Sequence, residues 1–360
     1  MVPIRLLIVD DSAVVRRLLG EALVQRPEIV VVGTASTGAL ALAKIPQLNP
    51  DVITLDVEMP GMNGIETLVE IRKRYPRLPV IMFSTLTERG AGTTLEALSL
   101  GASDYVTKPS NSESLSGAME TVRRELTAKI ISLAGPRTAS PAPALRTAPR
   151  NRFRPARVDV VAIGTSTGGP NALAEVIPLL PGNLPVPVVV VQHMPPLFTR
   201  LLAERLNSRS RLTVVEGAAG QIMEPGHVYI APGDFHMMAI RQADAMVLGL
   251  NRSAPENSCR PAVDVLFRSV AETYGSNVLA VVMTGMGSDG ARGAQSIREA
   301  GGEVLVQDEA SSVIWGMPGA VVRAGAADKV LPLSEISGEI VQRVLTGRAS
   351  LPLMSAISTA

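Results

Sequence analysis

Residues 158–169 read VDVVAIGTSTGG. A mostly apolar, β-branched run passes directly into Gly164-Thr165-Ser166-Thr167-Gly168-Gly169, and Pro170 then opens a segment with helical spacing. The expected local structure is strand, sharp turn, helix. A serine held between two glycines at such a turn presents its hydroxyl with little steric cover, and N–H groups at the helix start can stabilise a developing oxyanion. Ser166 is therefore a candidate nucleophile. The competing reading is a glycine-rich turn that cradles a phosphate or only packs tightly.

Outward from this turn, the second half of the chain alternates short apolar runs with amphipathic segments. Strands are expected at Val158–Ile163, Val186–Gln192, Leu212–Glu216, His227–Ala231, Met237–Arg241, Ala245–Leu250, Val278–Thr284 and Val304–Gln307. Helices are expected near Pro170–Leu179, Leu197–Leu206, Pro261–Tyr274, Gly290–Ala300 and Ile336–Thr346. Hairpin signals between 216 and 251 suggest an antiparallel excursion that leaves the sheet mixed. The expected fold is a doubly wound α/β domain, mostly parallel, with an antiparallel hairpin insertion.

A serine nucleophile needs a base, and the chain has three histidines. His193 ends the run PVPVVVVQHM, on the edge where Ser166 would sit. His227 begins a strand after a Pro-Gly turn, and His236 follows the turn in APGDFHM. The shared edge makes His193 the candidate base. Asp289, in VLAVVMTGMGSDGARG, lies beyond another apolar run and is the candidate orienting carboxylate. Each residue alone has an ordinary explanation as a packing residue or turn former. Three strands delivering Ser, His and Asp to one edge is a much less common coincidence. The order Ser166, His193, Asp289 excludes the α/β-hydrolase fold, in which the acid precedes the histidine.

Composition bounds the alternatives. A chain of 360 residues predicts two domains. Aromatics are only 3%, so the cores must be built from Val, Leu, Ile, Ala and Met. The single cysteine, Cys259, excludes an internal disulfide and points to a reducing compartment. No apolar run approaches the roughly 18 residues of a membrane span, and Arg5 and Asp10-Asp11 interrupt any signal peptide. A net charge of +1 argues against a dedicated nucleic-acid binder. A cytoplasmic protein, with no membrane insertion and no nucleic-acid partner, is expected.

The first half alternates in the same way, with strands expected at Ile4–Asp10, Val30–Ala35, Val52–Asp56, Val80–Thr85 and Tyr105–Thr107, each followed by a helix. This is the pattern of a five-stranded parallel sheet with helices on both faces, which binds ligands at the carboxyl ends of its strands. Those ends carry Asp10 and Asp11, Asp56, Ser84 and Thr85, and Lys108-Pro109. Three converging carboxylates favour a hard divalent cation, most plainly Mg²⁺. Asp56 could then attack a phosphoryl group whose charge the metal, Lys108 and a hydroxyl neutralise. Between the halves, residues 133–157 hold five prolines and six arginines and no acid, the composition of an extended linker.

Two resemblances follow from these motifs. VDDSAVVRR, LDVEMPGMNG, FSTL and DYVTKPS resemble the markers of response-regulator receiver domains over residues 4–125. That resemblance implies phosphorylation at Asp56 by a histidine kinase. It also implies Mg²⁺ held by Asp11, Asp56 and the backbone carbonyl of Glu58 with Asp10 nearby, and a switch relayed through Ser84 and Tyr105. GTSTGGP, VVQHMPPLFTRLLAERLN, GHVYIAPGDFHM, CRPAVDVLFRSVA, TGMGSDGARG and WGMPGAV resemble the catalytic domain of the chemotaxis protein-glutamate methylesterases, and with the receiver in front the two resemblances together cover the chain from about 4 to 347. It implies Ser166 as nucleophile, His193 as base and then acid, Asp289 as the orienting residue, Met286 at the oxyanion through its backbone N–H, and Thr165 and Thr167 bordering the nucleophile. The implied substrates are methyl-esterified glutamates, and also glutamines, of methyl-accepting chemotaxis receptors, with no cofactor at the hydrolase site.

The expected layout is a receiver at 1–131, a Pro/Arg-rich linker at 132–157, a methylesterase catalytic domain at 158–350 and an unmatched tail at 351–360. Cys259 stands in ENSCRPAVD where relatives often carry histidine; it is expected to alter a supporting contact without touching the triad. The simplest expectation for control is a receiver that packs over the Ser166 edge until phosphorylated. Two other classes compete with this reading. A non-enzymatic regulator with a phosphate- or nucleotide-binding effector domain leaves His193 and Asp289 unexplained, and a DNA-binding regulator lacks a basic helix-turn-helix unit.

Overall fold

The computed structural model describes residues 2–24, 26–108, 115–135 and 157–346. Pro109, the linker from 136 to 156 and the tail at 351–360 lie outside the described residues. The chain divides into two compact units, Met1–Pro141 and Ala142–Ala360.

In the first unit five strands, β1 (Ile4–Val9), β2 (Ile29–Ala35), β3 (Val52–Asp56), β4 (Val80–Ser84) and β5 (Asp104–Thr107), form a sheet in the order β2-β1-β3-β4-β5. Every neighbouring pair is parallel. The crossovers are α1 (Ala13–Val24), α2 (Gly38–Leu48), α3 (Gly64–Arg74) and α4 (Glu88–Ser99), and α5 (Leu115–Ala134) follows the last strand. Helices on both faces leave no wet side, which is why VITLD and VIMFS are buried at every position. Asn63 and Glu66 close a reciprocal capping box that fixes where α3 begins, just beyond the loop that follows Asp56. The strand order reverses between β1 and β3, and a crevice opens there at their carboxyl ends.

The second unit runs β6 (Val160–Thr165), α6 (Gly169–Val176), β7 (Val188–Gln192), α7 (Phe198–Asn207), β8 (Thr213–Glu216), β9 (His227–Ile230), a hairpin β10 (His236–Gln242) and β11 (Ala245–Asn251), and α8 (Val263–Tyr274). It continues through β12 (Val278–Val282), α9 (Ala291–Glu299), β13 (Glu303–Gln307), α10 (Met317–Arg323), β14 (Lys329–Leu331) and α11 (Leu333–Thr346). Seven strands pair in the order β14-β13-β12-β6-β7-β9-β8. On one face Val160, Ala162, Val189 and Val191 pack with Leu266, Phe267 and Val270 of α8 in a fully buried cluster. The order reverses at β6, so the residues after β6, β7 and β12 share one crevice.

The structure corrects the expected mixed sheet. All seven strands are parallel, and the hairpin forms a two-stranded sheet of its own. Strand β9 is paired on both sides, so β10 finds no free edge there. The hairpin instead lies on α8, where Ser269 Oγ accepts the Ala239 N–H at 3.0 Å. Two elements were not foreseen. Strand β14 is only three residues long, and α10 (MPGAVVR) contains a proline, a glycine and two valines. Intrinsic propensity argues against that helix, but Met317 and Val321 are fully buried and packing overrides it.

Candidate active site

Two glycines of the quoted turn act for different reasons. A Cβ at Gly164 would stand 2.4 Å from Val263 Cγ1, so only glycine lets α8 approach β6 this closely. Gly168 has φ of +78°, the left-handed conformation that ends the turn and caps α6. Ser166 follows the last residue of β6, and its backbone is held at both ends. Its N–H donates to Thr284 O at 3.0 Å, and its carbonyl accepts from Gly169 N at 2.8 Å and Gln192 Nε2 at 2.9 Å. Thr165 Oγ1 donates to Gln192 Oε1 at 2.6 Å, so Thr165 faces Gln192 and the core. Thr167 is buried and its carbonyl accepts from Thr284 Oγ1 at 2.9 Å.

Strand β7 is paired with β6 so that Thr165 lies opposite Gln192, which puts Ser166 and His193 in consecutive places at the same edge. Asp289 arrives from the loop after β12, on the other flank of β6. His193 Nε2 and Asp289 Oδ2 are 2.7 Å apart, a contact that spans the end of the serine strand. Asp289 is 2% exposed and its carboxylate also accepts the N–H groups of Val263 (2.7 Å), Asp264 (3.0 Å) and Gly290 (3.0 Å) and the amide of Asn257 (2.8 Å). Val263 and Asp264 open α8, so the carboxylate sits at the positive end of that helix. Burial alone would raise its pKa, but His193 and these donors hold it below its ordinary value. With five donors aimed at it, Asp289 is an anion and acts only as an acceptor, so His193 Nε2 carries the hydrogen.

The other ring nitrogen is then the proton acceptor. His193 Nδ1 faces Cys259 Sγ at 3.6 Å, which corrects the expectation that Cys259 stands clear of the triad residues. The turn Asn257-Ser258, both left-handed at φ 52° and 63°, swings the following cysteine back towards the ring. Burial lowers the affinity of His193 for a proton, but Asp289 and then Cys259 outweigh it and push the pKa up to about 10, so the ring must lose its Nδ1 proton before it can take one from Ser166. Ser166 Oγ makes no hydrogen bond to His193 among the described residues.

The helix start supplies less to an oxyanion than expected. The Gly169 N–H is already bonded to the Ser166 carbonyl, and Pro170 has none. The Met286 N–H, in the glycine-rich loop before Asp289, meets no acceptor among the described residues and is partly exposed. The remaining histidines lie elsewhere. His236 is buried with Nε2 on Ala254 O and Nδ1 near Ala262 N, and His227 stacks on Tyr229.

In the first unit, ligand oxygens of Asp10, Asp11 and Asp56 lie within 4.8 Å of one another. Lys108 Nζ stands 2.8 Å from Asp56 Oδ1 and 3.1 Å from Asp10 Oδ2. Asp56 Oδ2 is buried without a hydrogen-bond partner among the described residues, and Asp10 Oδ2 meets Lys108 without hydrogen-bond alignment. Two buried carboxylate oxygens that lack a hydrogen bond, beside an exposed third carboxylate, suit a hard divalent cation, which satisfies several oxygens at once. Glu58 contributes no side chain to this group; its N–H donates to Asp56 Oδ1 at 3.3 Å. Ser84 is buried with its hydroxyl on Gly90 O at 3.2 Å, and Tyr105 is buried beneath Lys129, whose Nζ is 5.0 Å from the ring centre.

The model of the response regulator receiver domain family matches residues 6–120, and that of the CheB methylesterase family matches residues 161–340. The chain belongs to the CheB methylesterase family. A protein-glutamate methylesterase/protein-glutamine glutaminase of Nocardioides sp. is 51% identical over 364 residues, covering 99% of this chain and 99% of its own length. One of that name from Trichodesmium erythraeum is 50% identical over 347 residues, covering 94% and 99%. The crystal structure of the Thermotoga maritima CheB methylesterase catalytic domain is 46% identical, with a TM-score of 0.51, covering 52% of this chain and 99% of that one.

Several residues that build this methylesterase-family site were missed in the sequence. Gln192 and Gln307 end strands β7 and β13 and are buried, 2% and 0% exposed; Gln307 Oε1 accepts the Thr284 N–H at 2.8 Å, and Thr284 in turn holds Ser166. The available signal was a glutamine closing an otherwise apolar run, a buried amide that must be hydrogen-bonded. Asn257, which bridges Asp289 and Asp264, gave no comparable signal.

The acidic pocket of the receiver has a measurable cost. Burial pushes Asp56 up to about 6, against the pull of Lys108. The folded chain therefore keeps this proton to higher pH than the unfolded chain, which releases it near pH ~4, so ionised Asp56 weakens the receiver at neutral pH and the penalty fades as pH falls. Asp56→Asn is expected to stabilise the receiver by on the order of 1–2 kcal/mol at pH 7.5, with the difference shrinking towards pH 5. Mg²⁺ should raise the receiver's unfolding midpoint in the intact wild-type chain and leave the variant's nearly unmoved. A variant no more stable than wild type at pH 7.5 would contradict this account.

Proposed function

We propose that the chain is a phosphorylation-controlled serine hydrolase that removes methyl groups from glutamate methyl esters of chemotaxis receptors and deamidates receptor glutamines. The observation that carries this reading is the 2.7 Å contact of His193 with a saturated Asp289 across the strand that delivers Ser166. Ser166 Oγ attacks the ester carbonyl as its proton passes to His193 Nδ1, the ring nitrogen that Asp289 leaves free. Asp289 stabilises the resulting imidazolium. The tetrahedral oxyanion is met by the Met286 N–H, a fixed donor that needs no reorganisation. The imidazolium returns its proton to the departing methanol, and water resolves the acyl-enzyme by the same steps in reverse, restoring glutamate and Ser166.

In the receiver, Asp56 accepts a phosphoryl group from a histidine kinase. Asp10, Asp11 and Asp56 would hold Mg²⁺, which neutralises charge on the phosphoryl oxygens. Lys108, between Asp10 and Asp56, pairs with the added charge, and the Ser84 hydroxyl leaves Gly90 O to follow it. The layout at 1–131, 132–157 and 158–350 makes the linker a tether between sensor and enzyme, in the cytoplasm where receptor helices and kinase meet. Among the described residues no helix is long and apolar enough to cross a membrane.

The function is tested by methanol release from methyl-esterified receptor membranes, with and without a small phosphodonor. Phosphodonor should stimulate release from the wild-type chain and not from Asp56→Asn, which keeps the unstimulated rate. Removing residues 1–130 should raise the unstimulated rate about tenfold or more, because an inhibitory bias of only ~3 kcal/mol keeps an enzyme inactive over 99% of the time. A truncated enzyme no faster than the unphosphorylated full chain would replace relief of inhibition with direct activation. No methanol release under any condition would favour the non-enzymatic effector reading.

A further inference from the structure

The environment of His193 is asymmetric in a way that the triad alone does not explain. Nε2 is committed to Asp289, and the nitrogen that must accept the serine proton faces a sulfur. That sulfur is firmly placed. Glu256 and Cys259 exchange two backbone hydrogen bonds, N to O at 3.1 and 2.9 Å, closing the turn that carries the thiol. Glu256 is tied to α8 through both oxygens, to Arg268 Nη1 at 2.7 Å and Nη2 at 2.6 Å. Asn257 of the same turn donates to Asp289, and Arg260 on the other side pairs with Asp234. One turn therefore fixes the acid on one side of the imidazole and the thiol on the other.

We propose that Cys259 is a positioning residue of the hydrolase site, whose thiol holds His193 Nδ1 and keeps the ring in the plane in which Nε2–H reaches Asp289. The proposal rests on the reading of His193 as the base. Once the ring is protonated its Nδ1–H needs an acceptor, and the sulfur of Cys259 is a weak one at the right place. A weak partner is functionally apt, because Ser166 Oγ must take its place when the proton is transferred. A strong acceptor such as a carboxylate at this position would draw the hydrogen to Nδ1 and remove the base.

The charged and titratable groups around the ring are Asp289 from the loop after β12, Asp264 and Arg268 from α8, and Glu256 and Cys259 from the turn. Asp264 is itself held above its ordinary value, by burial first; at His193 burial is the largest single influence on the proton affinity of the ring, and Asp289 and Cys259 together outweigh it. Cys259 raises that affinity. Its removal should therefore shift the acid limb of the rate profile to lower pH, an effect that a purely structural role would not produce.

The test uses the full chain. Cys259→Ala should lower kcat for methanol release about two- to tenfold, the worth of one modest hydrogen bond, with KM unchanged and the acid limb of the kcat profile moved to lower pH. Cys259→Ser should recover most of kcat, since a hydroxyl oxygen can still accept the Nδ1–H. Because Cys259 is the only cysteine, iodoacetamide has one target. Alkylation forms the S–C bond, releases iodide and sends the thiol proton to solvent, and it should block labelling of Ser166 by a fluorophosphonate probe in wild type but not in Cys259→Ser. Wild-type kcat and an unmoved pH profile in Cys259→Ala would overturn the proposal, as would a serine variant as impaired as the alanine one. His193→Gln separates the two readings. If it abolishes turnover while Cys259→Ala is silent, only the positioning role fails; if it retains turnover, the base assignment fails and the proposal with it.

Discussion

Replacing Ser166 by alanine is expected to lower methanol release from methylated receptor by about 10⁴- to 10⁶-fold, the range seen when a nucleophile is removed from a site that acts as a unit. The backbone should not move. Ser166 is held through its own main chain, its N–H on Thr284 O and its carbonyl accepting from Gly169 N and the Gln192 side-chain amide, and none of these contacts needs the hydroxyl. Unfolding of the catalytic unit should change by less than about 1 kcal/mol, since the lost oxygen has no intramolecular partner among the described residues. The same substitution should abolish covalent labelling by a fluorophosphonate probe. Labelling that persists in Ser166→Ala would remove this residue from its role and return the GTSTGG turn to the phosphate-cradle reading. The two readings differ in a second measurement: a cradle predicts phosphate binding that Ser166→Ala weakens only modestly, and no probe reaction in wild type.

Much of this was legible because strand ends are legible. The parallel sheets announce themselves as continuous apolar runs, and a residue that follows such a run must lie at the sheet's carboxyl edge. That logic located Asp10, Asp56, Ser166 and His193 without any knowledge of their contacts. It could not supply what depends on side-chain direction. His193 turning one nitrogen to Asp289 and the other to Cys259 follows from two left-handed residues in the turn 257–258, a local geometry with no periodic signature. The mixed sheet was misread for a related reason: turn signals show that β10 and β11 pair with each other, but not that β9 already has a partner on both edges. The short elements β14 and α10 exist through tertiary burial of Leu331, Met317 and Val321, which no local window contains.

The second large effect should come from Asp289→Asn, and the hydrogen-bond geometry predicts how it fails. Asp289 Oδ1 accepts from Asp264 N, Asn257 Nδ2 and Gly290 N, whereas Oδ2 accepts from Val263 N and His193 Nε2. An asparagine must place its NH₂ on one of these sides. Facing it towards three donors costs more than facing it towards two, so the amide oxygen takes the Oδ1 position and the NH₂ meets His193. The ring then accepts at Nε2 and carries its hydrogen on Nδ1, where it can no longer take a proton from Ser166. Turnover should fall by ~10⁴ with the fold retained, the loss found when a triad carboxylate becomes an amide and the histidine adopts the wrong tautomer. Stability supplies an independent check with a definite sign. The pKa of His193 is raised, so its pairing contributes fully below the unfolded value near ~6.5 and is lost as pH rises through about 10. Asp289 is lowered, so its contribution is present above its unfolded value near ~4 and is lost as pH falls. Asp289→Asn should therefore destabilise the catalytic unit most between about pH 4 and 6.5, by a few kcal/mol, and progressively less towards pH 10. Denaturant titrations across that range would measure it. Methanol release within tenfold of wild type would mean that Asp289 supports the helix start of α8 and nothing more, and that another group orients the base.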